Sequence, residues 1–140
     1  MSDTVEHAVA RFANCFDRKD WAGLEALLTE EVSLDYSALR GEVGTVSRAA
    51  YVDRRRTALE ALATHHLLGN LEVVTDGDTA SCRASGMIYR RHGDRFFDSH
   101  VIYEFRFVRS AGAWRIAAIR QAVLFSEGDP AIHAGVKAER

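Results

Sequence analysis

The sequence predicts an α+β fold: three N-terminal helices followed by an antiparallel meander of long strands, which together would enclose a cone if the sheet curves. Two observations carry this. In the first third, apolar residues recur at helical spacing. In the second half, the period switches to two over long runs separated by turn residues. Helices followed by an antiparallel meander is an α+β order, and helices laid on a curved sheet enclose a pocket.

The elements follow in turn. Asp3, with Glu6 three residues later, has the pattern of a capping box, and Val5, Val9, Phe12 and Phe16 then form one helical face. Asp20 can cap a second short helix that carries Trp21, Leu24, Leu27 and Leu28. VSLDY (32–36) alternates and reads as a strand, with Val32, Leu34 and Tyr36 on one side. Ser47 can cap a third helix, from about Arg48 to Leu62, with Tyr51, Val52, Leu59 and Leu62 as its apolar positions.

Strands at 65–75 and 79–91 flank Asp76-Gly77, a hairpin signal. A third, at 95–109, places Phe97, Ser99, Val101, Tyr103, Phe105 and Phe107 on one face. His100, Ile102 and Glu104 fall on the other. AWRIAAIRQAVLF (113–125) is the last strand, and the tail from 126 either caps an opening or frays.

Composition narrows the function classes. The 140 residues contain no repeat, linker or low-complexity tract, so residues 1–140 read as a single domain. The formal net charge is −2, with acids and bases interspersed and no basic stripe, which argues against nucleic acid as a partner. The one local excess, Arg54-Arg55-Arg56, reads as a solvated helix face. Cys15 and Cys82 stand in apolar surroundings, match no zinc spacing and read as core thiols rather than a bridge. MSDTVEHAVA lacks a basic start and an apolar signal core, and no apolar run reaches membrane-spanning length. The expectation is a soluble cytoplasmic protein with no membrane partner.

FANCFDRKDWAGL, LDYSAL, THHLLGNLEV and AGAWRIAAIR together resemble the nuclear-transport-factor-two-like superfamily. Within it, the chain is most similar to the SnoaL-like branch and the scytalone dehydratase group, over residues 5–125. That resemblance implies a cone, an α+β roll in which a strongly curved, mostly antiparallel mixed sheet wraps around the three N-terminal helices, and a set of site residues. A Tyr-Asp pair that ends the first helix in those enzymes matches Phe16-Asp17. Their tyrosine in an I-D-Y context matches Tyr36, and their histidine opening the next strand matches His66. Hexachlorocyclohexane dehydrochlorinase pairs an Asp at the end of the first helix with a His followed by x-x-x-N, a spacing that His66 and Asn70 share.

The departures are equally specific. Phe16 cannot donate a hydrogen bond. The second histidine of the scytalone group falls on Tyr89 or Arg90, and a serine and an asparagine fall on Val101 and Tyr103, so scytalone itself is not the expected substrate.

The resemblance thus assigns catalysis to Asp17, His66 and Tyr36, and substrate contact to Phe16, Tyr89, Val101 and Tyr103. It implies no cofactor and no metal. Asp17 would orient the imidazole, His66 would act as general base, and Tyr36 would donate to a carbonyl oxygen. The implied activity is a cofactor-independent, dehydratase-like lyase or isomerase acting on a small hydrophobic or cyclic carbonyl compound.

Other readings stay open. Periodicity alone makes Asp17 a solvated helix end, lets His66 face a pocket or the outside, and lets Tyr36 be structural. A ligand-binding module without turnover, or an assembly protein like the small subunit of ring-hydroxylating dioxygenases, would share the architecture. The superfamily also leads us to expect a homodimer or homotrimer.

Overall fold

The computed structural model describes residues 3–38 and 41–133. Three helices, α1 (Val5–Arg18), α2 (Trp21–Ala26) and α3 (Arg48–Leu59), accompany six strands. These are β1 (Leu28–Tyr36), β2 (Glu42–Ser47), β3 (Ala63–Asp76), β4 (Thr79–His92), β5 (Arg95–Ser110) and β6 (Ala113–Gly128). The strands form one sheet in the order β2-β1-β6-β5-β4-β3, antiparallel except where β1 runs parallel to β6. β3 and β2 are therefore the two edges. The architecture is the expected α+β one, of the nuclear-transport-factor-two/cystatin type.

α1 buries the face its spacing marks out: Val5, Val9, Phe12 and Phe16 all lie in the core. Phe12 is fully buried and meets Phe16, Tyr103 and Phe105 edge-on, at ring centroids 4.9, 5.8 and 5.1 Å away. On β5, alternation holds along the strand. Phe97, Ser99, Val101, Tyr103, Phe105 and Phe107 are buried, and His100 stacks on Phe125 on the outer face. Outward too are Leu67, Met87, Phe96, Leu124 and Phe125, the last more than half exposed. No helix among the described residues is long and apolar enough to cross a membrane.

Several boundaries differ from expectation. Thr4, not Asp3, caps α1 by accepting from His7 N–H. The Asp3 carboxylate instead accepts from Trp114 N–H, tying the start of the chain to β6. α3 ends at Leu59 rather than Leu62. β1 starts at Leu28, and β2, rich in glycine and exposed positions, carries no alternation to announce it. The β3–β4 loop is Gly77-Asp78, one residue later than the Asp76-Gly77 signal, with Gly77 at φ 61°. β6 runs on to Gly128, and a 3-10 turn follows at Pro130–Ile132. The rest of the tail, from residue 134, lies outside the described residues.

One irregularity changes which side chains point inward. Between Gly69 and Glu72 the β3–β4 register shifts, with Asn70 in the left-handed region at φ 50°. Simple alternation puts His66 and Leu68 on one face and Leu71 and Val73 on the other. The bulge brings Leu71 and Val73 back to the core that Leu68 joins.

Phe12 anchors this packing, so Phe12→Ala removes a ring that three aromatic neighbours enclose. The expected loss is ~3–5 kcal/mol of unfolding free energy, read from the urea midpoint with an unchanged m-value.

Candidate active site

α1 stops where Lys19 turns into the left-handed region at φ 57°. Its N–H and that of Asp20 return to the carbonyls of Phe16 and Cys15. That stop leaves Asp17 beside the open edge of β3, where backbone N–H groups have no neighbouring strand to bind. One Asp17 carboxylate oxygen accepts from the His66 backbone N–H at 2.8 Å. The other lies 2.7 Å from His66 Nδ1 and 3.2 Å from the Thr64 hydroxyl. An ionised carboxylate only accepts, so in the neutral imidazole the bond places the proton on Nδ1 and the lone pair on Nε2. The Phe16 ring stacks on the imidazole at 5.1 Å and 28°. The side chains are 5% and 16% exposed for His66 and Asp17, so water screens this pair little.

The imidazole lines a narrow cavity between helices and sheet, with Phe16, Tyr36, Arg55, Ile88 and Tyr103 among its walls. The empty space is about 260 Å3, and its free core holds little more than a water molecule. The Tyr36 hydroxyl hydrogen-bonds that of Tyr51 at 2.9 Å. The Arg55 guanidinium lies over both rings, 5.0 and 4.8 Å from their centroids, and its Nη2 donates to Glu42 at 2.6 Å. Burial opposes the Arg55 charge, but Tyr51, Tyr36 and Glu42 more than offset it and move its pKa up. Burial likewise pushes the Glu42 carboxyl up. Its bonds to Arg55 and Arg54 outweigh that and hold it below its ordinary value.

On the sheet side, Arg90 is 1% exposed. Its Nη1 donates to the Ser99 hydroxyl at 3.0 Å, and its guanidinium covers the Phe97 ring. Gln121 donates to the Tyr103 hydroxyl at 3.0 Å. Behind Tyr103, a Cβ on Gly86 would come within 2.8 Å of Leu68 and 3.0 Å of Val101, so the bare backbone lets this wall close.

The structure brings together Asp17, His66, Tyr36, Phe16 and Tyr103, and it separates two others from them. Tyr89 sits on the outer face with its hydroxyl toward Met87 sulfur. Its neighbour Arg90 takes the inward position, because successive residues of a strand alternate. Val101 is buried behind the cavity rather than at its wall. The arginine run is also not uniformly solvated: Arg54 and Arg56 are exposed, but Arg55 is 3% exposed. His133, which fits no motif, is buried at the cavity wall. Gln121 and His133 carry no sequence signal, whereas Arg55 has one that the charge run hides: it stands four residues after Tyr51 and three after Val52, on the same helix face.

A wider, open hollow of about 1050 Å3 lies on the other face of the sheet. Among its charged groups, Arg120 pairs with Asp35 and Glu104, and Arg83 with Glu104. It offers no base poised beside a donor. The smaller cavity is therefore the candidate site. No cluster of three potential metal ligands occurs among the described residues.

Residues 2–120 match the model of the SnoaL-like domain. The chain belongs to the SnoaL-like family. Among its relatives, an uncharacterized protein of Mycobacterium tuberculosis, Rv2910c, is 26% identical over 119 residues, covering 80% of this chain and 78% of that one. The dehydratase cfoI of Aspergillus candidus is 28% identical over 141 residues, covering 86% and 81%. The crystal structure of the Kfla4162 protein from Kribbella flavida superposes with a TM-score of 0.85 at 23% identity, covering 91% and 92% of the two chains. This SnoaL-like protein thus has both uncharacterized relatives and a distant one named as a dehydratase.

The Glu42 environment sets a pH signature. Its carboxyl is held below the ordinary 4.5, so the stabilisation from its pairing is present above 4.5 and fades as pH falls through the lower folded value. In denaturant titrations from neutral pH down past 4.5, Glu42→Gln should be less stable than wild type at neutral pH. The gap should narrow on acidification; a pH-independent gap would contradict this account of the ion pair.

Proposed function

We propose that this SnoaL-like protein is a cofactor-independent lyase or isomerase that removes a proton from carbon beside a carbonyl group. The observation that carries the reading is the Asp17–His66 contact at the wall of a water-poor cavity. His66 Nε2 takes the proton. The C–H electrons form a carbon–carbon double bond, and the carbonyl π electrons move onto oxygen, where the Tyr36 hydroxyl donates to the growing charge. In isomerisation, His66 returns the proton to another carbon. In elimination, the carbonyl re-forms, the β-hydroxyl departs with its bond electrons, and the proton on His66 converts it to water. Asp17 holds the imidazole in one tautomer and balances the imidazolium between the two steps.

Apolar walls from Phe16, Leu59 and Ile88 support a small, hydrophobic or cyclic substrate. The named dehydratase relative supports the elimination branch. Entry requires side chains at the wall to move, because the space present holds little more than water. That tightness also favours a second reading, a protein without turnover whose pocket is residual core.

One experiment separates the two. Exchange of α-protons for deuterium is followed by NMR across a panel of small cyclic β-hydroxyketones. Wild type should catalyse exchange with at least one of them. His66→Ala should lose about 10²–10⁴-fold, and Asp17→Asn a comparable factor. Exchange that survives His66→Ala within a few fold removes the base assignment, and an inert wild type favours the second reading.

A further inference from the structure

Arg55 is buried, 3% exposed, and lines the cavity, yet only one of its nitrogens is spent. Nη2 serves Glu42, whereas Nε and Nη1 have no hydrogen-bond partner among the described residues. The Tyr36 and Tyr51 ring faces on which the guanidinium stacks attract its charge but do not replace an acceptor for its N–H groups. Leaving two charged donors unmet in a dry site is costly unless a ligand completes them. The same stack sets Arg55 against Tyr36, the phenol that donates to the carbonyl oxygen.

We propose that Arg55 and Tyr36 form a single-oxygen anion subsite, so that the substrate is a carbonyl compound able to place a full negative charge on one oxygen, as an enolate or a phenolate. The proposal deepens the lyase/isomerase reading, because proton removal by His66 is what would create that charge. It reassigns Arg55 from a surface basic run to an oxyanion donor.

The donor geometry selects the oxygen. A carboxylate binds a guanidinium through two parallel bonds, and Nη2 is one tooth of either fork, side-on with Nε or end-on with Nη1. Nη2 is already engaged by Glu42. Nη2 carries two hydrogens and Glu42 takes one, which closes one of the two forks, and the water-sized free space beside Arg55 leaves room for one oxygen rather than a carboxylate pair. Glu42 in turn competes for the charge of Arg55, which keeps the empty subsite from attracting stray anions. The formal charges of Asp17, Glu42, Arg55 and Arg90 sum to zero. A substrate that enters neutral and becomes anionic as His66 becomes cationic keeps that balance.

The probe is 4-nitrophenol, whose phenolate form is coloured, titrated into the intact protein at a pH where the free probe is half ionised. Wild type should bind the phenolate in preference to the phenol by roughly tenfold or more. Arg55→Met should abolish the preference, and Arg55→Lys should restore part of it. Glu42→Gln, which removes the competing negative charge, should increase it, an effect that a purely structural ion pair would not produce. Binding of the phenolate needs no proton transfer, so failure of the base assignment and failure of the anion subsite are read separately. 4-Nitrobenzoate should gain little from Arg55. Absence of phenolate binding to wild type, a preference unchanged in both Arg55 variants, or an Arg55-dependent preference for benzoate over phenolate would each overturn the proposal. Circular dichroism of Arg55→Met checks its fold. If that variant does not fold, Arg55→Lys and Glu42→Gln decide the question with opposite expected directions.

Discussion

The end of a helix and the edge of a sheet meet at one carboxylate. Asp17 closes the exposed flank of β3 by accepting from the His66 backbone, and its other oxygen faces the imidazole and hydroxyl of the same strand. A carboxylate at a helix C-terminus sits against the unfavourable end of the dipole, and these three donors offset that cost. The contact therefore has a structural use and a chemical one at once. It docks α1 onto the strand, and in doing so it fixes the tautomer of His66. Everything proposed about proton transfer depends on this coupling of edge protection to base orientation.

The rest of the cavity extends the same logic of polar groups set within apolar walls. Strand alternation delivers Arg90, Ser99 and Tyr103 inward between Ile88, Phe97 and Phe105, so the sheet contributes a cation, a hydroxyl and a phenol to an otherwise oily face. The helical side contributes Arg55 through the one residue of its basic run that shares a face with Tyr51. The ion pair to Glu42 on β2 then fixes its position. β2 and α3 are consecutive in the chain, so a short, poorly patterned edge strand supplies the counterion for a buried guanidinium. A cavity built in this way is neutral overall, although it is lined by charges.

Much of the architecture was legible because it depends on period. The α1 face from Val5 to Phe16 and the inward row from Phe97 to Phe107 are written in spacing alone. What spacing does not record is local geometry. The bulge at Asn70 reversed the faces of Leu71 and Val73, and β2 escaped notice because glycine and exposed side chains carry no alternation. At the site, the family motif drew attention to Asp17 and His66, where periodicity read Asp17 as solvated. Charge runs and alignment misled elsewhere. Arg55 was grouped with its exposed neighbours, and Tyr89 stood in for Arg90, a one-residue ambiguity that on a strand exchanges inside for outside. His133 and Gln121 reach the cavity only through tertiary packing, which no local pattern encodes.

The most direct measurement is the tautomeric state of His66, read from the 15N chemical shifts of its ring nitrogens at a pH where the imidazole is neutral. The account predicts a proton on Nδ1 and none on Nε2, with that assignment lost when Asp17 is replaced by alanine. A proton on Nε2 in the intact protein, or ring shifts indifferent to Asp17, would show that the carboxylate does not orient the base, and would contradict the account at its centre.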